Sequence, residues 1–266
     1  MVFEYQETTE DLKTRIDIHA RYGKRDIDQW MLELLRPAKG SRILDVGCGS
    51  GKQLEAFHRY LGGAAEITGG DVNEELLGQA RARQATLGAD WAIRTLDFNQ
   101  PFPLVEGSFD LVSCCFAIYY ARDISHTIGE MHRVLAPRGR LFTTGPMPEN
   151  KRLFYDVIQE ATGRPIPPMP GSSLYASEIL KTIRDRFQTA ELQVFENPLE
   201  FHSVEPFVQY TRASLSEDRK LWAKFFEGAQ DFERVMSRIA AVAQRKLAAE
   251  GNLTMKKVVG GILATK

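Results

Sequence analysis

The sequence predicts an α/β protein with a doubly wound, mostly parallel sheet and a helical cap. Short apolar runs alternate with longer helical patterns between about residues 25 and 145, which is typical of parallel sheets. A glycine-rich turn joins the first apolar run to a helix. The 266 residues are long enough for one large domain, or for a core domain with an added cap. With 43% hydrophobic and 26% charged residues, the composition is that of a globular protein.

The predicted elements follow one another in a regular order. A helical pattern over 8–23 comes first, and Thr8 or Thr9 is placed to cap it. Five strands are predicted at 41–46, 65–71, 90–97, 109–115 and 140–145, and helical patterns lie between them at 52–61, 73–87 and 124–135. This alternation is typical of a parallel α/β sheet.

The pattern changes after Gly145. Segment 163–173 holds four of the twelve prolines and is predicted as a loop between two helical patterns. A sixth strand at 191–201, a long helical region at 206–250 and a seventh strand at 254–266 complete the prediction. We therefore expect lid helices over 1–36, a cofactor-binding core over 37–147, a substrate cap with the sixth strand over 148–252, and the last core strand over 253–266.

The composition excludes several classes of protein. The net charge of −1 provides no broad cationic field, so we expect no nucleic-acid partner. Three cysteines, two of them adjacent, argue against a disulfide framework and a structural zinc site, and no metal site is predicted. The sequence shows no signal peptide and no run of 18 apolar residues, so we expect a cytoplasmic protein without a membrane span. Its oligomeric state stays open.

The stretch ILDVGCGSG, residues 43–51, is the most informative motif. Gly47, Gly49 and Gly51 allow a sharp turn and the close approach of a ligand, and the following helix offers its N–H groups. The spacing G-x-G-x-G differs from the G-x-G-x-x-G of the dinucleotide fingerprint. Asp45, which precedes the turn, suits a cationic ligand group better than a pyrophosphate. The alternative is a strand-to-helix turn that merely needs glycine.

Two further acidic positions end predicted strands. Asp71 closes the second strand, where a carboxylate can accept both hydroxyls of a ribose, or can simply cap the next helix. Asp97 closes the third strand, where it can accept from an exocyclic amine or serve as a turn residue. Its neighbour Phe98 can cover the face of a base or belong to the core.

These motifs resemble the class I S-adenosylmethionine-dependent methyltransferases, in particular the UbiE-like or type 11 small-molecule branch. The resemblance covers about residues 37–147 and includes, in order, ILDVGCGSG, GDVNEEL, QPFPLVEGSFDLV and EMHRVLAPRGRLFTT. It implies a Rossmann-like fold and the cofactor S-adenosyl-L-methionine, with S-adenosyl-L-homocysteine as product. The implied reaction is methyl transfer by in-line displacement to an O, N or C atom of a small metabolite. The many apolar and aromatic residues of the predicted cap suggest that this metabolite is partly apolar.

The resemblance also implies roles for individual residues. The residues implied around the methionine part of the cofactor are Tyr22, Asp45, Gly47, Cys48, Gly49, Ser50 and Gly51. Asp71 is implied to bind the ribose, and Val72, Asp97 and Phe98 are implied to contact the adenine. Cys115, Phe116 and Tyr120 are implied to line the passage to the acceptor. Many relatives carry a His pair where this chain has Tyr119 and Tyr120. The candidate bases are Tyr120, His19 and His202. For Tyr22 the alternative is packing of the lid helix.

Two other classes compete with this interpretation. An NAD-dependent oxidoreductase shares the strand, the glycine turn and the ribose carboxylate, although the spacing and Asp45 argue against it. A cofactor-binding protein that does not methylate, such as a carboxy-S-adenosylmethionine-type synthase or a pseudoenzyme, would keep the same cofactor contacts. The aromatic stretch 221–236 has helical spacing that predicts core packing, a substrate cap, or both.

Overall fold

Seven strands form one sheet in the computed structural model, which describes residues 8–215, 222–226 and 229–266. The strands are β1 (Arg42–Val46), β2 (Glu66–Asp71), β3 (Trp91–Thr95), β4 (Phe109–Cys115), β5 (Leu135–Pro146), β6 (Thr189–Phe201) and β7 (Leu253–Thr265). Their order is β3-β2-β1-β4-β5-β7-β6. Pairing is parallel from β3 through β5, whereas β5 and β7 are antiparallel. The predicted fold, a mostly parallel doubly wound Rossmann-like sheet, is confirmed.

Ten α-helices lie in the described part of the chain. They are α1 (Thr9–Tyr22), α2 (Ile27–Leu35), α3 (Lys52–Leu61), α4 (Glu74–Leu87), α5 (Ile124–Val134), α6 (Arg152–Thr162), α7 (Pro170–Leu174), α8 (Leu180–Arg186), α9 (Val204–Ser214) and α10 (Ala229–Glu250). Thr8 caps α1, since its hydroxyl accepts from the Asp11 N–H at 3.1 Å. None of the described helices is long and apolar enough to cross a membrane.

Several predicted boundaries were wrong. The predicted loop 163–173 ends early because α7 starts at Pro170, where proline has a helical φ and lacks an N–H that the first turn does not use. Within the predicted helical region 206–250, α9 ends at Ser214, a short 3-10 helix spans Ala223–Phe225, and α10 begins at Ala229. Residues 216–221 and 227–228 of that prediction lie outside the described residues. Strand β5 begins five residues before the predicted start.

The chain divides into two compact units, each built from three segments. Unit 1 comprises the chain up to Asp26 together with Pro148–Met169 and Glu196–Val258, and unit 2 comprises Ile27–Met147, Pro170–Phe195 and Val259–Lys266. These limits differ from the predicted lid and cap ranges at three places, and one of them is the end of unit 1 at Val258 instead of at residue 252. Helix α2 belongs to unit 2, where Met31 and Leu35 are buried in a cluster with β1, and so does the segment that carries α7 and α8.

The segment with α7 and α8 is attached to the sheet of unit 2 by Tyr175. This residue lies in a π-helical turn, Tyr175–Ile179, and is fully buried. Its hydroxyl donates to the Thr143 carbonyl oxygen at 2.8 Å, and its ring lies so close to Gly145 that any Cβ there would clash. Glycine at 145 is therefore required by this packing.

Unit 1 has its own apolar core, which is rich in aromatic side chains. Helix α6 packs against α10, and α9 packs against both α1 and α10. The large buried residues of this cluster include Phe154, Phe201, Phe207, Tyr210 and Trp222. Described residues of the aromatic stretch 221–236, such as Trp222 and Phe225, thus belong to this core.

Asn197 fixes the chain after α1 within unit 1. Its Oδ1 accepts from the N–H groups of Lys24 at 2.8 Å and Arg25 at 3.0 Å, and its Nδ2 donates to the Arg25 carbonyl oxygen at 2.9 Å. The side chain is 5% exposed, so these bonds replace those it would make with water. Asn197 therefore sets the position of the α1 C-terminus.

Candidate cofactor-binding site

The glycine turn after β1 has the backbone conformation that the motif predicts. Gly47, Gly49 and Gly51 have φ values of 72°, 52° and 77°. The N–H of Gly47 donates to the Gly70 carbonyl oxygen at 2.7 Å, and a Cβ at position 47 would lie 2.6 Å from the Cβ of Ala117. Conformation and space both require glycine at 47. The turn thus leads directly from β1 into the first turn of α3.

Asp45 is a buried carboxylate beside this turn. It is 2% exposed, and Ser113 of the neighbouring strand β4 donates its hydroxyl to Oδ1 at 2.6 Å. The pKa of Asp45 is raised to about 7, chiefly by burial; the Ser113 hydrogen bond opposes the rise and the charge of Asp71 adds to it. A cationic group placed against Asp45 would stabilise the ionised form and lower this pKa. The site therefore favours a cationic ligand group.

Asp71, the last residue of β2, forms a hydrogen bond to the glycine turn. Its Oδ2 accepts from the Gly49 N–H and its Oδ1 from the Asn73 N–H, both at 2.9 Å. The capping alternative for Asp71 was wrong, because Asn73 caps α4 by accepting from the N–H groups of Glu75 and Leu76. Each oxygen of an ionised carboxylate can accept a second hydrogen bond, so Asp71 retains capacity for ligand hydroxyls.

The residues predicted at the adenine differ in their surroundings. The Val72 residue is 59% exposed, and its apolar side chain is open to a ligand. Asp97 does form a turn, since its Oδ1 accepts from the N–H and Nδ2 of Asn99, both at 2.9 Å; Oδ2 takes no part in these bonds. Phe98 is half-buried, and its ring edge lies 3.9 Å from where a Cβ on Gly47 would stand. The structure thus brings Phe98 to the glycine turn.

The segment after β4 contains a strained aromatic residue. Phe116 has a φ of 57°, which is rare for a bulky side chain and costs on the order of 1–3 kcal/mol. Its N–H donates to the Thr144 carbonyl oxygen at 3.0 Å, which holds the strained backbone on β5. Strain of this kind clusters at functional sites. The rings of Tyr119 and Tyr120 follow, with their centroids 4.7 Å apart.

The cysteines near the site are poorly suited to act as nucleophiles. Cys48 and Cys114 are buried and Cys115 is half-buried. Burial raises the pKa of all three thiols, so they remain protonated at neutral pH. The sulfur of Cys115 lies 3.9 Å from that of Met31. These contacts agree with the interpretation of Cys114 and Cys115 as small apolar residues at the end of a strand.

Three predicted residues belong to unit 1. The ring of Tyr22 packs on Phe201, with centroids 5.0 Å apart. His19 Nε2 lies 3.5 Å from the Tyr210 hydroxyl, and His202 is exposed after the end of β6. The remaining predicted site residues, including Tyr120, belong to unit 2. The roles of Tyr22, His19 and His202 stay predictions.

Two contributors to the site were missed in the sequence. Ser113 lies in a run of strand residues, and only the β1–β4 register, in which Asp45 pairs with Ser113, shows that its hydroxyl meets the carboxylate. Arg83 of α4 donates from Nε to the Ser50 carbonyl oxygen at 3.2 Å and forms an ion pair with Glu55 of α3. These bonds link α4 and α3 to the glycine turn.

Comparisons with known proteins agree with this geometry. Residues 43–139 match a family model described as a methyltransferase domain. The ubiquinone/menaquinone biosynthesis C-methyltransferase UbiE of Desulfotalea psychrophila is 28% identical over 173 residues, which cover 65% of this chain and 64% of the relative. A ubiquinone biosynthesis O-methyltransferase of Pseudomonas aeruginosa is 30% identical over 119 residues, which cover 45% of this chain and 50% of the relative. The solved structure of the YcgJ protein of Bacillus subtilis superposes on this chain with a TM-score of 0.59 at 14% identity. The superposition covers 90% of this chain and 97% of that structure.

The family match identifies a methyltransferase domain over residues 43–139, and the sheet of this chain has the same fold as the YcgJ protein. By sequence the chain is similar to the ubiquinone/menaquinone biosynthesis C-methyltransferases UbiE. The chain spans less than two thirds of the length of both curated relatives described above. The residues of unit 2 fit the cofactor, because Asp45 can face its ammonium group, Asp71 its ribose hydroxyls and Val72 an apolar ring.

Proposed function

We propose that the protein transfers a methyl group from S-adenosyl-L-methionine to a small metabolite. The observation that carries this proposal is the arrangement around the glycine turn, where Asp45 is buried beside it and Asp71 accepts from the Gly49 N–H. One carboxylate suits a cationic ligand group and the other suits vicinal hydroxyls. A dinucleotide site would instead present N–H groups to a pyrophosphate, where a buried carboxylate is unfavourable.

Each part of the cofactor has matching residues in unit 2. The proposed contacts are Asp45 and the backbone from Gly47 through Cys48, Gly49 and Ser50 to Gly51 for the methionine part, Asp71 for the ribose, and Val72, Asp97 and Phe98 for the adenine. The cofactor, when bound, supplies an electrophilic methyl group on a sulfonium. The protein's task is to orient the acceptor in line with that group, which lowers the entropic part of the barrier.

The acceptor atom decides whether a base is needed. An amine can lose its proton to water before the reaction, whereas a hydroxyl or carbon acid generally needs a positioned base. Tyr120, His19 and His202 are the proposed candidates, and Cys115 and Phe116 are proposed to line the passage to the acceptor. A cytoplasmic location and the lack of a nucleic-acid partner also remain proposals, supported by three free thiols and a net charge of −1.

Calorimetry tests the cofactor assignment directly. We expect the protein to bind S-adenosyl-L-homocysteine and not NAD. Asp71→Ala should weaken binding by about 1.5–3 kcal/mol, because it removes a charged acceptor of hydrogen bonds. Asp90→Asn is the matched control, since Asp90 is an exposed carboxylate before β3 in the same unit, and it should leave binding unchanged. Unchanged affinity of the Asp71 variant would remove Asp71 from the site.

Methyl-labelled cofactor tests the reaction itself. The protein is incubated with labelled S-adenosyl-L-methionine and fractions of a metabolite extract, and transfer of label into one fraction is expected. Binding of S-adenosyl-L-homocysteine without transfer to any fraction would contradict the proposal and favour a non-methylating cofactor-binding protein. Binding of NAD in its place would favour an oxidoreductase.

A further inference from the structure

Ser113 is a buried residue whose hydroxyl lies beside the Asp45 carboxylate. It is fully buried in β4, and the register of β4 on β1 pairs it with Asp45. Its hydroxyl donates to Asp45 Oδ1 at 2.6 Å, whereas the Leu44 carbonyl oxygen lies 3.5 Å away. A hydroxyl carries a single proton, and 2.6 Å is typical of one bound to an ionised carboxylate. The proton of Ser113 is therefore directed to Asp45.

The second oxygen of this carboxylate remains able to accept from a ligand. Within the described part of the chain, no hydrogen bond is formed to Asp45 Oδ2. The residue is only 2% exposed, so bulk water has little access to it. A buried charge is stable when its remaining lone pairs are also hydrogen-bonded. Oδ2 is thus the atom of Asp45 with which a cationic group can pair.

The groups around Asp45 make its charge dependent on Ser113. Burial raises the pKa of Asp45 most, the Ser113 hydrogen bond opposes the rise, and the charge of Asp71 on β2 adds to it. Three thiols also face the carboxyl, and burial keeps them protonated; they are Cys48 of the glycine turn and Cys114 and Cys115 of β4. Of these groups, Ser113 is the one that favours the ionised form of Asp45.

We propose that Ser113 is a positioning residue for cofactor binding, because its hydroxyl holds the Asp45 carboxylate in one orientation with Oδ2 available to the ammonium group of the cofactor. The inference rests on the proposed methyl transfer and adds a residue to the site of its cofactor. Ser113 is fully buried, so it acts through Asp45 rather than by touching the ligand. A carboxylate that is already oriented loses less conformational freedom when the ligand binds. Loss of the hydroxyl should therefore weaken the contact with the ammonium group and leave the adenosine contacts intact.

Calorimetry with two ligands separates this role from a structural one. S-adenosyl-L-homocysteine carries the ammonium group, whereas methylthioadenosine has the same adenosine part and lacks the amino acid. At pH 7 we expect Ser113→Ala to bind S-adenosyl-L-homocysteine about tenfold more weakly than wild type does, because a hydrogen bond to a charged group contributes on that order. Both proteins should bind methylthioadenosine equally, which also shows that the site of the variant is folded.

The pH dependence and a second substitution show whether Ser113 acts through Asp45. The affinity of wild type for S-adenosyl-L-homocysteine should rise roughly tenfold from pH 6 to pH 8, because the ammonium group pairs with the ionised form of a carboxyl whose pKa is about 7. In Ser113→Ala this rise should occur at higher pH, since the bond that favours ionisation is lost. In the Asp45→Asn background Ser113→Ala should have no further effect, because residues that act as one unit are not additive.

The control variant is Ser214→Ala. Ser214 of α9 is also a buried serine, and its hydroxyl has no hydrogen-bond partner among the described residues, so the variant should behave as wild type with both ligands. Unchanged affinity of Ser113→Ala for S-adenosyl-L-homocysteine, equal weakening for both ligands, or a full effect in the Asp45→Asn background would overturn the inference. If wild type binds neither ligand, the proposed function fails and the inference fails with it.

Discussion

Replacement of Asp45 by asparagine should make the protein more stable above neutral pH. The carboxyl is 2% exposed and burial raises its pKa from 3.8 to about 7. At 1.36 kcal/mol for each pKa unit, ionisation of this group in the folded protein costs roughly 4 kcal/mol. An amide of the same shape can accept the Ser113 hydrogen bond without carrying a charge, so Asp45→Asn avoids this cost.

The sign and the pH range follow from the direction of the shift. Because the folded protein holds the proton of Asp45 more tightly than the unfolded chain does, stability falls as the pH rises from about 4 to about 7. Above that range the loss is complete. Between pH 5 and pH 8 the difference in unfolding free energy between Asp45→Asn and wild type should therefore grow by roughly 2–3 kcal/mol in favour of the variant.

Urea unfolding of both proteins at pH 5, 6, 7 and 8 measures this difference, and the contributions of all other titrating groups cancel. Ser113→Ala provides a second variant. It removes the donor that opposes the rise in pKa, so its stability should continue to fall at higher pH than that of wild type. Parallel stability curves for Asp45→Asn and wild type would show that Asp45 titrates normally, and the reasoning on its burial would be refuted.

Three further changes probe the fold around the proposed sites. Gly47→Ala should lower the unfolding free energy by about 1–3 kcal/mol in urea, because position 47 has a φ of 72° and its Cβ would lie 2.6 Å from that of Ala117; an unchanged value would contradict the need for glycine. Tyr175→Phe should cost about 1–3 kcal/mol in the same assay, since it leaves the buried Thr143 carbonyl without its donor. Asn197→Ala should speed amide hydrogen exchange at Lys24 and Arg25, because it removes the oxygen that accepts from both N–H groups. Equal exchange in the variant and wild type would show that Asn197 does not hold this segment.

The sequence predicted the sheet well because its signals are local. Strand β1, the glycine turn and α3 follow one another without interruption, and their residue types leave few alternatives. The start of β5 was wrong because Leu135 continues the apolar spacing of α5. Its strand pairing depends on Phe109, a residue far away in sequence. Non-local pairing of this kind has no local signature.

The candidate site was predictable only where chemistry follows from residue type. Asp45 and Asp71 stand out as carboxylates at strand ends, but the hydroxyl of Ser113 needs the β1–β4 register to be recognised. The left-handed backbone of Phe116 conflicts with the preference of its residue type, so only the structure reveals it.

The interleaving of the two units has a consequence for how the chain folds during synthesis. Strand β7 follows every other strand in the chain, yet it lies between β5 and β6 in the sheet. The residues of β7 up to Val258 belong to unit 1, and those from Val259 onward belong to unit 2. The ribosome must therefore release β7 before β6 can join the sheet, so neither unit can be completed while the chain is still short. Until then, the edge of β5 that β7 will cover stays open to incorrect pairing.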